Sequence, residues 1–343
     1  MRKVIGTVCA LALLFLTAAT QASVKDQMQE CLLTALLSAT DEVTVGELKE
    51  QCRQVVARQS IKENGVQARD MEADEETAVE RRINLERYTA NNPFVLNAHR
   101  PTYFLPFAYN DSPNEVPFEG VGGSLDNVEF QFQVSFKAMM WDGVFGDKGR
   151  LDIAYTNRSF WQAYNTDISA PFRETNHEPE LILGFQNDWE VFGLKNIANR
   201  IIFNHQSNGR SGNLSRSWNR VMAEMIFERD NFAMSFKPWW RVPEDYDASV
   251  PDDPSNDNNR DITDYLGHFE LAGAYRTSDA HTWSMMIRDP VSGKGAYELS
   301  WSFPISYRLR GYLKYFNGYG ENLIDYNVKN ETIGIGFQLT DWL

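Results

Sequence analysis

Hydrophobic and polar positions alternate along most of the chain after residue 97. The clearest run spans residues 128–137, where five apolar residues alternate with five polar ones. Successive side chains of a strand point to opposite faces, so this run predicts a strand with one apolar and one polar face. A tilted strand of about ten residues is long enough to cross a bilayer.

Similar but weaker runs follow and continue almost to the last residue. Apolar residues occupy every second position in residues 181–185, 232–236, 297–303 and 333–339. Tryptophan and tyrosine recur near the ends of the runs, as in the aromatic girdles of membrane barrels. About ten to twelve such runs predict an all-β, antiparallel transmembrane β-barrel. A soluble sandwich or barrel, which also has one apolar face, remains the alternative.

Composition alone does not separate these two possibilities. The mean hydropathy is −0.44 and the formal net charge is −14. A membrane barrel is also polar on average, because half of its strand residues face a polar lumen. The acidic balance argues against nucleic acid as a partner and is compatible with binding a hard cation.

The first 92 residues have a different character. Arg2 and Lys3 precede an apolar stretch from Val4 to Leu16, and a cleavage site with small residues ends at Ala22, which predicts a secretory signal over residues 1–22. Residues 23–92 are acidic, and they predict a short, mainly helical or partly disordered extension. This extension is either a solvated segment or an element that docks a partner. The barrel domain is expected over residues 93–343.

Two cysteines, Cys31 and Cys52, lie beyond the predicted signal. Both fall on expected helices, and an exported chain enters an oxidising compartment. These facts favour a disulfide over two free thiols. One disulfide cannot hold together a chain of this length, so the main fold depends on the barrel.

A histidine, a serine and an asparagine lie close together in residues 204–219. His205 and Ser207 are two residues apart, so they share a face with the apolar residues that precede them on the same strand. If the hairpin turn centres near Gly212, antiparallel pairing places His205 opposite Asn219. Asn219 also continues an apolar face. The candidate polar group therefore lies on an apolar surface.

These three residue types can perform ester chemistry. A serine hydroxyl such as that of Ser207 needs a base to take its proton, and His205 can serve near neutral pH. The carbonyl of Asn219 can hold the imidazole in one tautomer. Gly209 can present an unobstructed backbone N–H to an oxyanion. The alternative is an ordinary hairpin with polar turn residues.

The loop at residues 210–217 could bind a cation. It is rich in hydroxyl groups and carbonyls, which are the oxygen ligands that Ca²⁺ prefers. The histidines show no spacing typical of zinc ligands, and no thiol lies nearby.

Residues 204–220 resemble the signature of the outer-membrane phospholipase A family. The resemblance is carried by NHQSNGRS at residues 204–211 and SRSWNR at residues 215–220. Shorter similar stretches occur at residues 92–94, 171–179, 237–239, 261–263 and 318–327. Together they cover residues 92–343.

The resemblance implies a twelve-stranded barrel in the outer membrane of a Gram-negative bacterium, with its active site on the exterior at the level of the outer leaflet. It implies hydrolysis of the acyl esters of phospholipids and lysophospholipids (phospholipase A1/A2 activity). By the same resemblance, Ser207 is the nucleophile, His205 the base and Asn219 the orienting residue. Gly209 takes the position that contributes an oxyanion-hole N–H.

Calcium and a second subunit are also implied by the resemblance. The calcium ligands would be the Arg210 carbonyl, the Ser215 hydroxyl and Ser169 of the facing subunit. Activity in the family depends on homodimerisation, and Asn157 takes the position of the family's interface glutamine. Membrane phospholipids would be the substrates.

Two other functions compete with this one. A non-catalytic barrel, acting as a narrow pore or a structural anchor, would show the same alternation without needing the residues around Ser207. A soluble secreted esterase would need the same residues without the membrane.

Overall fold

The structure is a computed structural model. It describes residues 31, 52, 82, 95–118, 124–145, 148–247, 249, 256–277, 280–289, 293–306 and 309–340. The predicted signal and most of the predicted helical extension lie outside these residues. Among the described residues, no helix is both long enough and apolar enough to cross a membrane.

The chain divides into two units, residues 1–76 and residues 77–343. In the first unit, Cys31 and Cys52 both lie in helical backbone and are joined by a disulfide. The predicted pairing of these two cysteines is confirmed.

The second unit contains the sheet. Its strands are β1 (Asn97–Ala98), β2 (Thr102–Asn110), β3 (Val128–Phe145), β4 (Lys148–Trp161), β5 (Phe172–Gln186), β6 (Glu190–Val191), β7 (Leu194–Ser207), β8 (Ser217–Arg229), β9 (Phe232–Val242), β10 (Phe269–Arg276), β11 (Thr282–Arg288), β12 (Ala296–Ser306), β13 (Leu309–Tyr319) and β14 (Lys329–Thr340). A short helix, α1 (Ile262–Leu266), lies between β9 and β10.

Twelve of these strands form a closed ring. Each long strand pairs antiparallel with its neighbours along the chain, β14 pairs with β2, and the pairing of β3 with β4 completes the circle. The two-residue strands β1 and β6 add to β3 and β7 at the edge of this ring. Closure leaves no long strand with an unpaired edge, which is the condition for a strand structure in lipid. The predicted antiparallel barrel is confirmed.

Strand β3 shows which face is which. Its apolar residues from Val128 to Phe136 are at least partly exposed, whereas its polar residues are buried in the lumen. Glu129 is 1% exposed and Lys137 is 5% exposed. Apolar residues outside and polar residues inside are typical of a barrel surrounded by lipid. This arrangement is the reverse of a soluble sandwich or soluble barrel.

Ion pairs fill the lumen. Arg173 pairs with Glu129 at 2.9 Å and with Asp325, and all three side chains are almost fully buried. Near the same wall, Glu178 receives hydrogen bonds from Arg100 at 2.7 Å and Arg220 at 2.9 Å. Such charges are tolerated because each has an opposite partner. A cavity of about 90 Å³ inside the barrel is lined by several of these groups, among them Arg100, Glu178 and Arg220.

The two ends of the barrel differ in the length of their connections. At one end the strands are joined by long segments, including residues 111–127, 162–171, 208–216 and 243–268. At the other end the turns are short, such as residues 230–231 between β8 and β9. Short periplasmic turns and long extracellular loops are the rule for outer-membrane barrels. The 208–216 turn therefore lies at the extracellular end.

Candidate active site

The hairpin of β7 and β8 brings the predicted residues together. His205 pairs with Asn219, and Ser207 pairs with Ser217, around the 208–216 turn. The Nδ1 atom of His205 donates a hydrogen bond to Oδ1 of Asn219 at 2.8 Å, because an amide oxygen can only accept. The predicted register of this hairpin is confirmed.

These side chains lie on the outside of the barrel. On β7, Ile201 is 43% exposed and Phe203 is 54% exposed, whereas Ile202 is 2% exposed and faces the lumen. His205 and Ser207 continue the outward face of the strand and are half-buried. The predicted lipid-facing orientation is therefore the one that the structure shows.

One expected contact is not formed. His205 and Ser207 share a face two residues apart, but no hydrogen bond joins their side chains among the described residues. Catalytic hydrogen bonds of free enzymes are often long and shorten when substrate binds. The structure thus shows the His205–Asn219 hydrogen bond and places Ser207 on the same face of β7.

Asn219 has a second partner, which sequence analysis missed. Its Nδ2 atom donates a hydrogen bond to Oε1 of Glu244 at 2.6 Å. Asn219 pairs with Val242, the last residue of β9, so Glu244 lies two residues farther along the extended chain. The acidic 243–268 connection contains several carboxylates. No local sequence pattern indicates which of them contacts Asn219.

The pKa of the Glu244 carboxyl group is raised above its ordinary value. Burial of the carboxyl group and the charge of Asp257 raise the pKa of Glu244. The hydrogen bond from Asn219 and the positive charge of Arg241 oppose this rise, as does the nearby His205. Glu244 therefore lies within the electrostatic reach of the imidazole.

The side chain of Asn208 holds the 208–216 turn in shape. Its Oδ1 atom accepts hydrogen bonds from the backbone N–H groups of Arg210 at 3.2 Å and Arg216 at 3.0 Å. Its Nδ2 atom donates to the carbonyl of Leu214 at 2.8 Å. Asn208 is only 5% exposed, so its buried amide links the two sides of the turn.

Gly209, the next residue of the turn, is exposed. Its φ is +65°, in the region that glycine adopts without strain. Among the described residues, its N–H makes no hydrogen bond, so this donor is free to meet an oxyanion.

Two predicted calcium ligands lie in the same turn. The Arg210 carbonyl and the hydroxyl of Ser215, a residue that is 8% exposed, have no hydrogen-bond partner among the described residues. The Arg210 guanidinium instead donates to the carbonyls of Phe172 and Arg173. Unpaired oxygen atoms of this kind fit a hard cation such as Ca²⁺.

The third predicted ligand, Ser169, lies in a different loop. It is exposed in the β4–β5 connection with a φ of +60°, and no hydrogen bond links its side chain to the 208–216 turn within the described part of the chain. In that same part, no group of three or more His, Cys, Asp or Glu side chains is arranged to hold a metal ion. Of the three predicted ligands, one chain therefore brings two, Arg210 and Ser215, into the same turn.

A row of polar residues crosses the outer surface beside Ser207. The pairing of β4, β5 and β7 aligns Asn157 with His177 and His177 with Ser207. The Nδ1 atom of His177 lies 2.7 Å from the hydroxyl of Tyr155. Sequence analysis missed this row, because the β5–β7 pairing spans a longer connection whose register no local pattern determines.

Comparison with known proteins identifies the family. The phospholipase A1 family model matches residues 79–339. Phospholipase A1 of Klebsiella pneumoniae is 35% identical over 283 residues, which cover 81% of this chain and 94% of the relative. Phospholipase A1 of Proteus vulgaris is 37% identical and covers 73% and 83% of the two chains.

Solved structures agree with this match. Outer membrane phospholipase A from Escherichia coli superposes with a TM-score of 0.67 at 34% identity, covering 73% of this chain and all of that one. A calcium-bound dimer of the Salmonella typhi outer membrane phospholipase gives a TM-score of 0.66 at 33% identity, with coverage of 73% and 94%. The chain belongs to the phospholipase A1 family and is an outer-membrane phospholipase.

Proposed function

We propose that this phospholipase hydrolyses the acyl ester bonds of phospholipids and lysophospholipids at either acyl position, in a calcium-dependent reaction. Ser207 is the nucleophile, His205 the general base and Asn219 the orienting residue. The observation that carries the proposal is the His205–Asn219 hydrogen bond of 2.8 Å on the lipid-facing surface. An asparagine-to-alanine form of the Escherichia coli relative, described as an active-site mutant, supports a role for an asparagine.

The reaction has two halves. The Oγ atom of Ser207 attacks the ester carbonyl carbon while Nε2 of His205 takes its proton. The tetrahedral intermediate collapses by breaking the bond to the alcohol oxygen, and His205 returns the proton to that leaving group. A water molecule then attacks the acyl-serine while His205 takes its proton. The fatty acid is released, and His205 returns the proton to Ser207.

Asn219 supports this cycle by orientation. Its carbonyl accepts from Nδ1 of His205, so Nε2 is left without a proton and can act as the base. A neutral amide places no full charge beside the imidazolium that forms during attack. The imidazolium is therefore stabilised less than by an aspartate.

The negative oxygen of the intermediate needs donors. The free N–H of Gly209 is the candidate within this chain. The Arg210 carbonyl and the Ser215 hydroxyl would hold calcium, whose positive charge would help to stabilise a developing negative charge. Both ligands lie in the turn that directly follows Ser207.

A second copy of the chain would complete the calcium site. The Salmonella typhi relative was solved as a dimer with bound calcium. Ser169 of a facing subunit is the remaining ligand in this proposal, and its exposure in the β4–β5 loop supports such a contact. Activity would then depend on homodimerisation in the outer membrane.

The domain organisation follows the same proposal. Residues 1–22 direct export, residues 23–92 form an acidic periplasmic extension, and residues 93–343 form the barrel that carries the activity. The first strand begins at Asn97, and the match to the family begins at residue 79.

The experiment is phospholipid hydrolysis by protein refolded in detergent with calcium. We expect Ser207→Ala to lose about three orders of magnitude or more of the parent rate. Ser217→Ala is the matched control, because Ser217 is the serine directly opposite Ser207 and should keep most of the activity. A Ser207→Ala protein that hydrolyses phospholipid at the parent rate would refute the assignment.

A further inference from the structure

The amide of Asn219 is held from both sides. Its oxygen accepts from His205 at 2.8 Å, and its nitrogen donates to Glu244 at 2.6 Å. If the amide were flipped, its NH₂ group would face the N–H of the imidazole, and its oxygen would face the carboxylate. Both contacts would be repulsive. A carboxylate can only accept, so Glu244 selects the orientation that places the amide oxygen on His205.

The backbone around Glu244 fixes its position. Glu244 follows Val242, which pairs with Asn219 at the end of β9. The next residue, Asp245, accepts a backbone hydrogen bond from Asp257 at 3.0 Å. Arg241 ties the two sides of this loop together through the carboxylate of Asp257 at 2.7 Å. The Glu244 side chain therefore extends from an anchored segment.

Glu244 also supplies the charge that the amide lacks. The transfer of the serine proton turns His205 into a cation, and a neutral asparagine gives that cation only a dipole. A carboxylate behind the amide polarises it and increases the negative character of its oxygen. In the resting site, burial and Asp257 raise the pKa of Glu244, whereas Arg241 and His205 lower it.

We propose that Glu244 is a positioning residue for the phospholipase reaction. Its carboxylate orients the Asn219 amide and thereby the tautomer of His205, and it places negative charge on the far side of that pair. This inference depends on the proposed roles of His205 and Asn219. The site is then a chain of four side chains, from Ser207 through His205 and Asn219 to Glu244.

The first test is a double-mutant cycle with calcium and phospholipid substrate. We expect Glu244→Ala to lower kcat about tenfold with KM within about twofold, because positioning acts on the chemical step. In an Asn219→Ala background, the same change should cost less than about twofold, since the residue through which Glu244 acts is gone. Asp245→Ala is the control, because it removes an exposed carboxylate of the same loop and should behave like the parent.

The second test separates charge from geometry. Glu244→Gln keeps an acceptor for Asn219 and removes the charge, so it should retain more activity than Glu244→Ala. The lost negative charge disfavours the cationic form of His205, so the acid limb of the kcat/KM profile should move to lower pH. Asp257 and Arg241, the other charged groups around the carboxylate, are unchanged in this variant. An unshifted profile would mean that Glu244 has no electrostatic role.

Failure of this inference is distinguishable from failure of the proposed function. If Ser207→Ala is inactive while Glu244→Ala matches the parent, only the role of Glu244 is wrong. If Glu244→Ala costs the same factor with and without Asn219, Glu244 stabilises the loop and does not act through the amide. If Ser207→Ala stays active, the site assignment itself is wrong.

Discussion

Asn219 differs from the aspartate that usually orients the histidine of a serine hydrolase. Its amide makes one hydrogen bond to His205 and carries no net charge. An outward-facing site gives a reason for this choice, because an isolated charge beside lipid is costly unless it is paired. The charged group, Glu244, contacts the other side of the Asn219 amide from the loop beyond β9.

We expect Asn219→Ala to lower kcat/KM about tenfold. One orienting hydrogen bond contributes about 1.4 kcal/mol at most to stabilisation of the transition state. His205→Ala removes the proton acceptor itself and should lose about a thousandfold. Steady-state hydrolysis of one phospholipid substrate by both variants gives the comparison. Equal losses for the two variants would show that Asn219 does more than orient the base.

Local elements of the site were accessible from the sequence. The alternation around His205 and Ser207 and a turn centre near Gly212 sufficed to predict the partner Asn219, because a slip of one residue would turn the apolar face of β8 into the lumen. The contact to Glu244 spans the β8–β9 hairpin, and Glu244 lies just beyond the end of β9, where alternation no longer applies. The alignment of His177 with Ser207 depends on the pairing of β5 with β7 across the connection that contains β6. Alternation determines the face of a residue but not its neighbour on the next strand.

The hydrogen bonds of the Asn208 side chain connect the two sides of the 208–216 turn. We expect Asn208→Ala to raise the calcium concentration for half-maximal activity about tenfold or more. The variant loses three hydrogen bonds that hold the Arg210 and Ser215 oxygens in place. Ser211→Ala, at an exposed position of the same turn, is the control. An unchanged calcium titration for Asn208→Ala would show that this turn does not set the calcium affinity.

For the whole molecule, alternation was enough to predict a lipid-exposed antiparallel barrel, but not the pairing inside it. Glu129 and Lys137 were identified only as the polar face of β3, and the structure buries both in the lumen. Glu129 pairs there with Arg173 of β5, and Arg173 also pairs with Asp325 of the β13–β14 connection. Such pairs depend on closure of the ring, which brings residues from distant parts of the chain into contact.

Breaking a lumen ion pair should cost the barrel more stability than breaking a surface ion pair. Arg173→Ala leaves the buried carboxylates of Glu129 and Asp325 without their partner, so we expect a loss of about 3–5 kcal/mol in the free energy of unfolding. Arg229→Ala is the control, because its ion pair with Asp230 is 3.9 Å long and exposed, and should contribute less than about 1 kcal/mol. Urea unfolding of the two refolded variants measures the difference. Similar losses would contradict the account of the lumen.

The central claim is that Ser207 is a nucleophile on the lipid-facing surface, activated by His205. The most direct measurement is covalent labelling of the detergent-solubilised protein, in calcium, with a long-chain alkyl fluorophosphonate, followed by mass spectrometry of the peptides. We predict a single adduct on Ser207, lost in His205→Ala and retained in Ser217→Ala. An adduct on another residue, or equal labelling of Ser207 without His205, would contradict the claim.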